Sequence, residues 1–152
     1  MKFALITLLI LLSDKAWAKP IIVAVIDTGF GMTTLSLSEK HLCNYGHKDF
    51  TGDNEFVQQF KTKDKVPSDN VGHGTNIVGI IDKYADSNDY CIVVIKAFEN
   101  DRTDEQAMAY SEQAIKYAVS LKPDIINYSA GGEGRSEIEY KNIKQFLDEG
   151  GI

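Results

Sequence analysis

Three short apolar runs constrain the fold of this chain more than any other feature of its sequence. Residues 21–26 read Ile-Ile-Val-Ala-Val-Ile and residues 91–95 read Cys-Ile-Val-Val-Ile. Residues 124–128, Asp-Ile-Ile-Asn-Tyr, read as a third buried strand around the apolar pair Ile125-Ile126. Strands with no polar alternation are those of a parallel sheet covered by helices on both faces. The stretches between them carry helix signals. Residues 75–85 are apolar nearly all round and include Gly79, which predicts a buried helix. Thr103 with Gln106 has the form of a capping box, and behind it Ala107, Tyr110, Ala114, Ala118 and Leu121 fall on one stripe that Pro123 stops. Ser136 with Glu139 opens another helix, which turns Ile143, Phe146 and Leu147 inward and ends at Gly150 and Gly151. Alternation of strand and helix makes the class α/β, with a largely parallel sheet and helices on both faces.

The remaining segments give weaker signals. A short strand is expected near 40–45. Residues 49–72 are polar, with Gly52 and Pro67, and read as a long surface loop holding a short ordered piece near 56–60. Ile152 reads as the first residue of another strand, so the domain is expected to be cut short at its C-terminus.

The first 18 residues stand apart. Lys2 precedes an apolar run over 3–12, and Ala16-Trp17-Ala18 has the small-x-small form of a signal-peptidase site. That run is about half the roughly 20 residues a membrane-spanning helix needs. The expectation is a leader over 1–18, cleaved after Ala18, and a single secreted or periplasmic domain over 19–152 with no stable membrane insertion. Export places Cys43 and Cys91 in an oxidising compartment, where a disulfide between them is the default state. A net charge of −6 without a run of lysines or arginines argues against a nucleic-acid partner.

Three constellations carry chemistry. Asp27-Thr28-Gly29 ends the first apolar run, and a carboxylate at the C-terminal end of a parallel strand sits where α/β folds build sites. Such a carboxylate can accept an imidazole N–H and fix the tautomer of the ring. Gly72-His73-Gly74-Thr75 stands at the mouth of the predicted helix over 75–85. The glycines allow close approach of other backbone, and the helix N-terminus disfavours a cationic ring there, leaving a base. His41 and His47 lack such flanks and read as surface loop residues. In the third, the strand over 124–128 runs into Ser129-Ala130-Gly131-Gly132, whose exposed backbone could pair with an extended peptide.

Asp-Thr-Gly after a strand, Gly-His-Gly-Thr opening a helix, and Asn127-x-Ser129-x-Gly131-Gly132, in that order on an α/β frame, resemble the subtilisin-like serine peptidases (the S8 family, subtilases). The resemblance runs from Ile21 to the C-terminus and implies their three-layer fold and a peptide or protein substrate. It makes Asp27 the triad aspartate and His73 the general base. Ser129, Ala130 and Gly131 become the segment that pairs with substrate backbone, with Gly131 and Gly132 beside the specificity pocket; Ser129 is not the nucleophile. A serine hydroxyl is a weak nucleophile until a neutral imidazole takes its proton, and the chain order Asp, His, Ser is that of subtilisin.

The chain also departs from the family pattern. The Gly-Thr-Ser nucleophile motif and the oxyanion-hole asparagine do not occur in it, so the 152 residues alone are not expected to hydrolyse peptides, and a missing C-terminal half of the domain is the expected partner. The histidine that often follows Gly-His-Gly-Thr is Asn76, and only Lys19 and Pro20 separate the leader from the first strand, leaving no propeptide there. Residues 99–102, Glu-Asn-Asp-Arg, lack the glycines usual in the opposite wall of the groove, and Glu133 reads as a solvated surface residue. The triad chemistry requires no cofactor. No metal site is assigned; a dense Asp/Asn loop of the kind calcium uses is not found, and structural calcium is left open. Two alternatives stand beside this reading: an inactive relative acting as a binding module, and an aspartic peptidase, whose motif is also Asp-Thr-Gly but which is β-rich and uses two carboxylates.

Overall fold

The computed structural model describes residues 19–31, 38–52, 58–60, 66–85, 89–132 and 134–152. The leader expected over 1–18, the first part of the ordered piece expected near 56–60, and Glu133 lie outside the described residues. The elements run β1 (Ile21–Asp27), a 3₁₀ turn (Ser38–His41), β2 (His47–Asp49), β3 (Gln58–Phe60), α1 (His73–Tyr84), β4 (Tyr90–Lys96), α2 (Asp104–Ser120), β5 (Ile125–Tyr128) and α3 (Glu137–Asp148). They build a five-stranded sheet in the order β3-β2-β4-β1-β5. All neighbours are parallel except β3, which pairs antiparallel with β2.

The two faces of the sheet hold separate cores. Ile22, Ala24 and Ile26 of β1 and Val93 and Ile95 of β4 pack under α2, with Ile143 of α3 against the same cluster. Val23 and Val25 of β1 and Ile92 and Val94 of β4 pack under Val78 of α1 on the other face. This is the two-sided burial that the unbroken apolar runs predict. Each valine or isoleucine so buried contributes roughly 1.5–3 kcal/mol relative to exposure. On α2, Tyr110, Ala114 and Ala118 are buried as the stripe predicts, joined by Ser111, Ile115 and Val119. The alanines let the helix lie close to the sheet. The Thr103 capping box is complete, with both reciprocal bonds formed.

Several expectations are corrected. No strand covers 40–45: that stretch holds the end of the 3₁₀ turn and a single parallel bridge from Leu42 to Ile92, and the strand follows at β2. The surface loop expected over 49–72 begins within that strand, and Phe50 and Thr51 are buried. Helix α1 starts at His73 and buries one side only. Gly74 and Val78 are buried, whereas Ile80 and Tyr84 are exposed, because nothing among the described residues covers the outer side of the helix. Strand β5 is half-buried rather than buried, since it flanks β1 alone. Ile152 lies beyond it: its N–H donates to the Asp124 carbonyl at 3.2 Å, and its carbonyl accepts from Ile126 at 2.9 Å. On α3, Phe146 is buried but Leu147 faces solvent. Ser136 caps that helix by accepting from the Glu139 N–H, but the box stays half-made because the Glu139 carboxylate turns to the Ser111 and Tyr128 hydroxyls.

Neither His41 nor His47 is a loop surface residue. The His41 ring bonds Asp82 and stacks on Tyr90. His47 is fully buried, its Nε2 donating to the Cys43 carbonyl at 2.7 Å and its Nδ1 accepting from the Val94 N–H at 3.0 Å. Burial pushes its ring below the ordinary histidine range against a smaller opposing effect of the Cys43 bond. Cys43 and Cys91 are joined by a disulfide. No helix among the described residues is long and apolar enough to cross a membrane.

Candidate active site

The C-terminal ends of β1 and β5 lie side by side, since Ile26 is in register with Tyr128. Asp27 follows Ile26 and is 2% exposed. Its position is fixed from both sides of the chain: its carbonyl accepts from Ala97, and its Oδ1 accepts the Thr28 N–H at 2.7 Å. Gly29 then turns the chain with φ 111°, and a Cβ there would meet the Ser68 carbonyl oxygen at 2.6 Å. Both the left-handed backbone and the close approach call for glycine.

His73 is the first residue of α1. Its Nδ1 lies 2.8 Å from Asp27 Oδ1 and 3.0 Å from Oδ2. The ring is half exposed, with 52% of its side chain accessible, whereas the carboxylate behind it is buried. With Nδ1–H donated to Asp27, the lone pair sits on Nε2, the tautomer a general base needs. Gly74 makes the approach possible. A Cβ at this position would stand 2.4 Å from the Gly29 carbonyl oxygen and 3.1 Å from Asp27 Oδ1.

Asp69, two residues after the buried Pro67, is not singled out by the motifs of the sequence, yet the structure places it at the centre of this corner. Its Oδ1 accepts from Thr28 Oγ1 at 2.9 Å, Val71 N at 2.9 Å and Gly72 N at 2.8 Å. Its Oδ2 accepts from Thr75 N at 2.9 Å and Thr75 Oγ1 at 2.6 Å. Burial raises its carboxyl, but the bonds from Thr75, Gly72 and Val71 outweigh that and hold it well below the usual carboxylate range. The local signal is an Asp in a polar turn, where its side chain accepts from the N–H two residues on in the Asx pattern.

The segment Ser129, Ala130, Gly131 and Gly132 leaves the same edge of the sheet and is exposed throughout. The Ser129 hydroxyl donates to Asn127 Oδ1 at 2.9 Å. The open space around Gly131 and Gly132 would admit a Cβ at either. Next to them lies a cavity of about 270 Å³, lined among others by Phe98, Met108, Tyr128 and Glu139. The structure thus brings Asp27 and His73 into contact and places 129–132 on the adjoining strand end. The expected opposite wall is tied down without glycines: Glu99 accepts from Lys96 at 3.1 Å and Arg102 at 3.2 Å, and Arg102 also donates to the Thr51 carbonyl. Burial raises the Glu99 carboxyl, and these two cations more than reverse that. Among the described residues no cluster of three His, Cys, Asp or Glu side chains could hold a metal ion.

The three long helices and the Asp27–His73 pair do not fit a β-rich aspartic peptidase with paired carboxylates. Comparison with solved structures agrees. The chain is similar in fold to the epidermin leader peptide processing serine protease EpiP from Staphylococcus aureus, at 18% identity and a TM-score of 0.58, covering 88% of this chain and 36% of that one. It is also similar to MycP1 with its N-terminal propeptide removed, at 17% identity and a TM-score of 0.53, covering 87% of this chain and 41% of that one. The chain therefore spans less than half the length of either of these two chains. No curated protein matches it. The model of the subtilase family matches residues 18–150, nearly the whole sequence, and the chain belongs to that family.

Proposed function

We propose that the chain supplies the aspartate and the general base of a secreted serine-type endopeptidase. The observation that carries this reading is the His73 Nδ1 between both oxygens of the buried Asp27 carboxylate, with the rest of the ring open to solvent. In this reading His73 Nε2 takes the proton from a serine hydroxyl as its oxygen attacks the scissile carbonyl. The same nitrogen then gives the proton to the leaving amine, and water completes hydrolysis of the acyl-enzyme. Asp27 holds the ring in that tautomer and balances the imidazolium that forms. Ser129, Ala130 and Gly131 pair with the backbone of the substrate, and Gly132 flanks the pocket beside them. The nucleophile is assigned to no residue of this sequence, so the 152 residues alone do not turn over. Secretion rests on the leader-like 1–18 and on the disulfide between Cys43 and Cys91.

The test is a peptide-hydrolysis assay on the secreted product of the uninterrupted reading frame, with its intact mass measured. A product starting at Lys19 and losing at least about 10⁴-fold in kcat in His73→Ala and in Asp27→Asn is expected. Hydrolysis that survives His73→Ala, or normal turnover by the 152 residues alone, would overturn the reading.

A further inference from the structure

We infer that Asp69 is a positioning residue for His73, holding the imidazole against Asp27 through bonds to Thr28 and to the backbone around His73. The inference rests on the reading of His73 as a base and concerns how that base is held. Three of the donors to Asp69, the Val71 N–H, the Gly72 N–H and the Thr75 N–H, come from the stretch that contains His73 and bracket it on both sides. A fourth, the Thr28 hydroxyl, belongs to the residue directly after Asp27. One carboxylate thus ties the backbone carrying the carboxylate partner to the backbone carrying the ring.

The hydroxyls make the tie directional. Thr28 Oγ1 accepts the Gly74 N–H at 2.9 Å while donating to Asp69, and Thr75 Oγ1 accepts the Gly31 N–H at 2.8 Å while also donating to Asp69. A hydroxyl has one proton, so both threonines must spend theirs on Asp69 for their lone pairs to meet the backbone donors. Gly72, the residue before α1, provides no side-chain cap. Thr28 and Asp69 do so instead, receiving the Gly74 and Thr75 N–H groups of the first turn, which otherwise lack partners within the helix. Only an acceptor on both oxygens satisfies this arrangement. An asparagine would set an NH₂ group against either the Thr75 donors or those of Thr28, Val71 and Gly72.

The experiment uses the full chain with ¹⁵N-labelled histidine. Long-range ¹H–¹⁵N correlation reads the His73 tautomer, the low-field Nδ1–H resonance reads the bond to Asp27, and thermal melting is recorded in parallel. In Asp69→Asn we expect the single Nδ1–H tautomer to give way to a mixture, with Nδ1–H exchange about tenfold faster, the equivalent of one lost hydrogen bond. Thr28→Ser and Thr75→Ser keep the hydroxyls and should retain the wild-type signature, whereas Thr28→Val and Thr75→Val should shift it towards that of Asp69→Asn. An Asp69→Asn protein that melts lower but keeps the His73 signature in its folded state would overturn the inference. If Asp69→Asn does not fold, the same criterion applies to Thr28→Val against Thr28→Ser. The readout is the ring, not hydrolysis. A peptidase assay that fails while the ring still responds to Asp69 refutes only the reading of function.

Discussion

The Asp27–His73 corner and the Ser129–Gly132 strip stand on the same edge of the sheet and are built in opposite ways. At the corner, backbone approaches backbone so closely that only glycine fits at 29 and 74, and a buried carboxylate is aimed at a ring. On the strip the chain is exposed and the glycines have open space around them. A base must be held within a narrow geometry before substrate arrives, and packing with hydrogen bonds can do that inside the chain. A surface that pairs with an extended peptide must instead leave its own backbone groups unspent. Under the proposed function, the difference between packed corner and open strip is a division of labour along one sheet edge.

The largest change that sharpens this comparison is loss of the disulfide. Cys91 lies at the far end of β4 from Lys96, which is in register with Asp27. Closing a separation of 48 residues contributes about 4 kcal/mol in the loop-entropy picture. Cys91→Ser should lower the melting temperature strongly, yet the protein that stays folded should retain the His73 Nδ1–H resonance. Loss of that resonance in folded Cys91→Ser would mean that the corner is held by global stability and not by its local bonds.

Gly74→Ala breaks the corner itself. Its methyl would stand 2.4 Å from a backbone oxygen of Gly29, with no flexible side chain to yield. Overpacking of this kind costs about 3 kcal/mol, and here the strain falls on the contact between β1 and α1. Thermal unfolding and the His73 signature should both change. A variant as stable as the parent would show that the start of α1 and the turn at Gly29 are not in contact as described.

Acid acts next. His47 is pushed below its ordinary value of 6.5 by burial, and protonation would set a new N–H against the Val94 donor. A ring depressed in the folded state stabilises the fold above the unfolded value and loses that contribution as pH falls. Stability should therefore decline below pH 6.5, with a slope from this one group of at most about 1.4 kcal/mol per pH unit. His47→Leu should flatten that limb in melts recorded from pH 7 to 5; an unchanged limb would assign it to the carboxylates. Val94 of β4 donates to His47, and Ala97, the residue directly after β4, donates to the Asp27 carbonyl, so one strand end is tied to both residues.

Legibility in the sequence followed the same division. Strands β1 and β4 were readable because they are buried on both faces, so that no polar residue interrupts them. Thr103 was readable because a cap is a local arrangement within one turn. Asp27 and His73 were readable because each stands in a motif with a fixed place on its element. What was hidden depends on partners distant in sequence. Strand β2 is His-Lys-Asp, with no hydrophobic pattern, and exists because its backbone meets β4. The burial of His47 is decided by Cys43 and Val94, not by its own flanks. Leu147 and Ile80 are as apolar as their buried neighbours, and only the layout of the layers says which side of a helix is covered. Asp69 was hidden because its meaning lies in Thr28, far back along the chain.

The smallest effect belongs to the strip. Gly131→Ala places a methyl where a Cβ meets nothing within 4 Å, and the backbone there does not have the positive φ of Gly29 or Gly72. A surface change of this kind lies within about 0.5 kcal/mol of neutral, and the lower entropy of the unfolded alanine chain works slightly in its favour. Melting temperature and the His73 resonance should both match the parent. If the proposed peptidase reading holds, the same methyl sits on the substrate-pairing backbone, so KM should rise while the stability of the free protein does not fall. A stability loss as large as that of Gly74→Ala would mean that the strip is packed and not open. Unchanged KM with unchanged stability would move the substrate off Gly131 and leave Ser129 and Ala130 to carry the pairing.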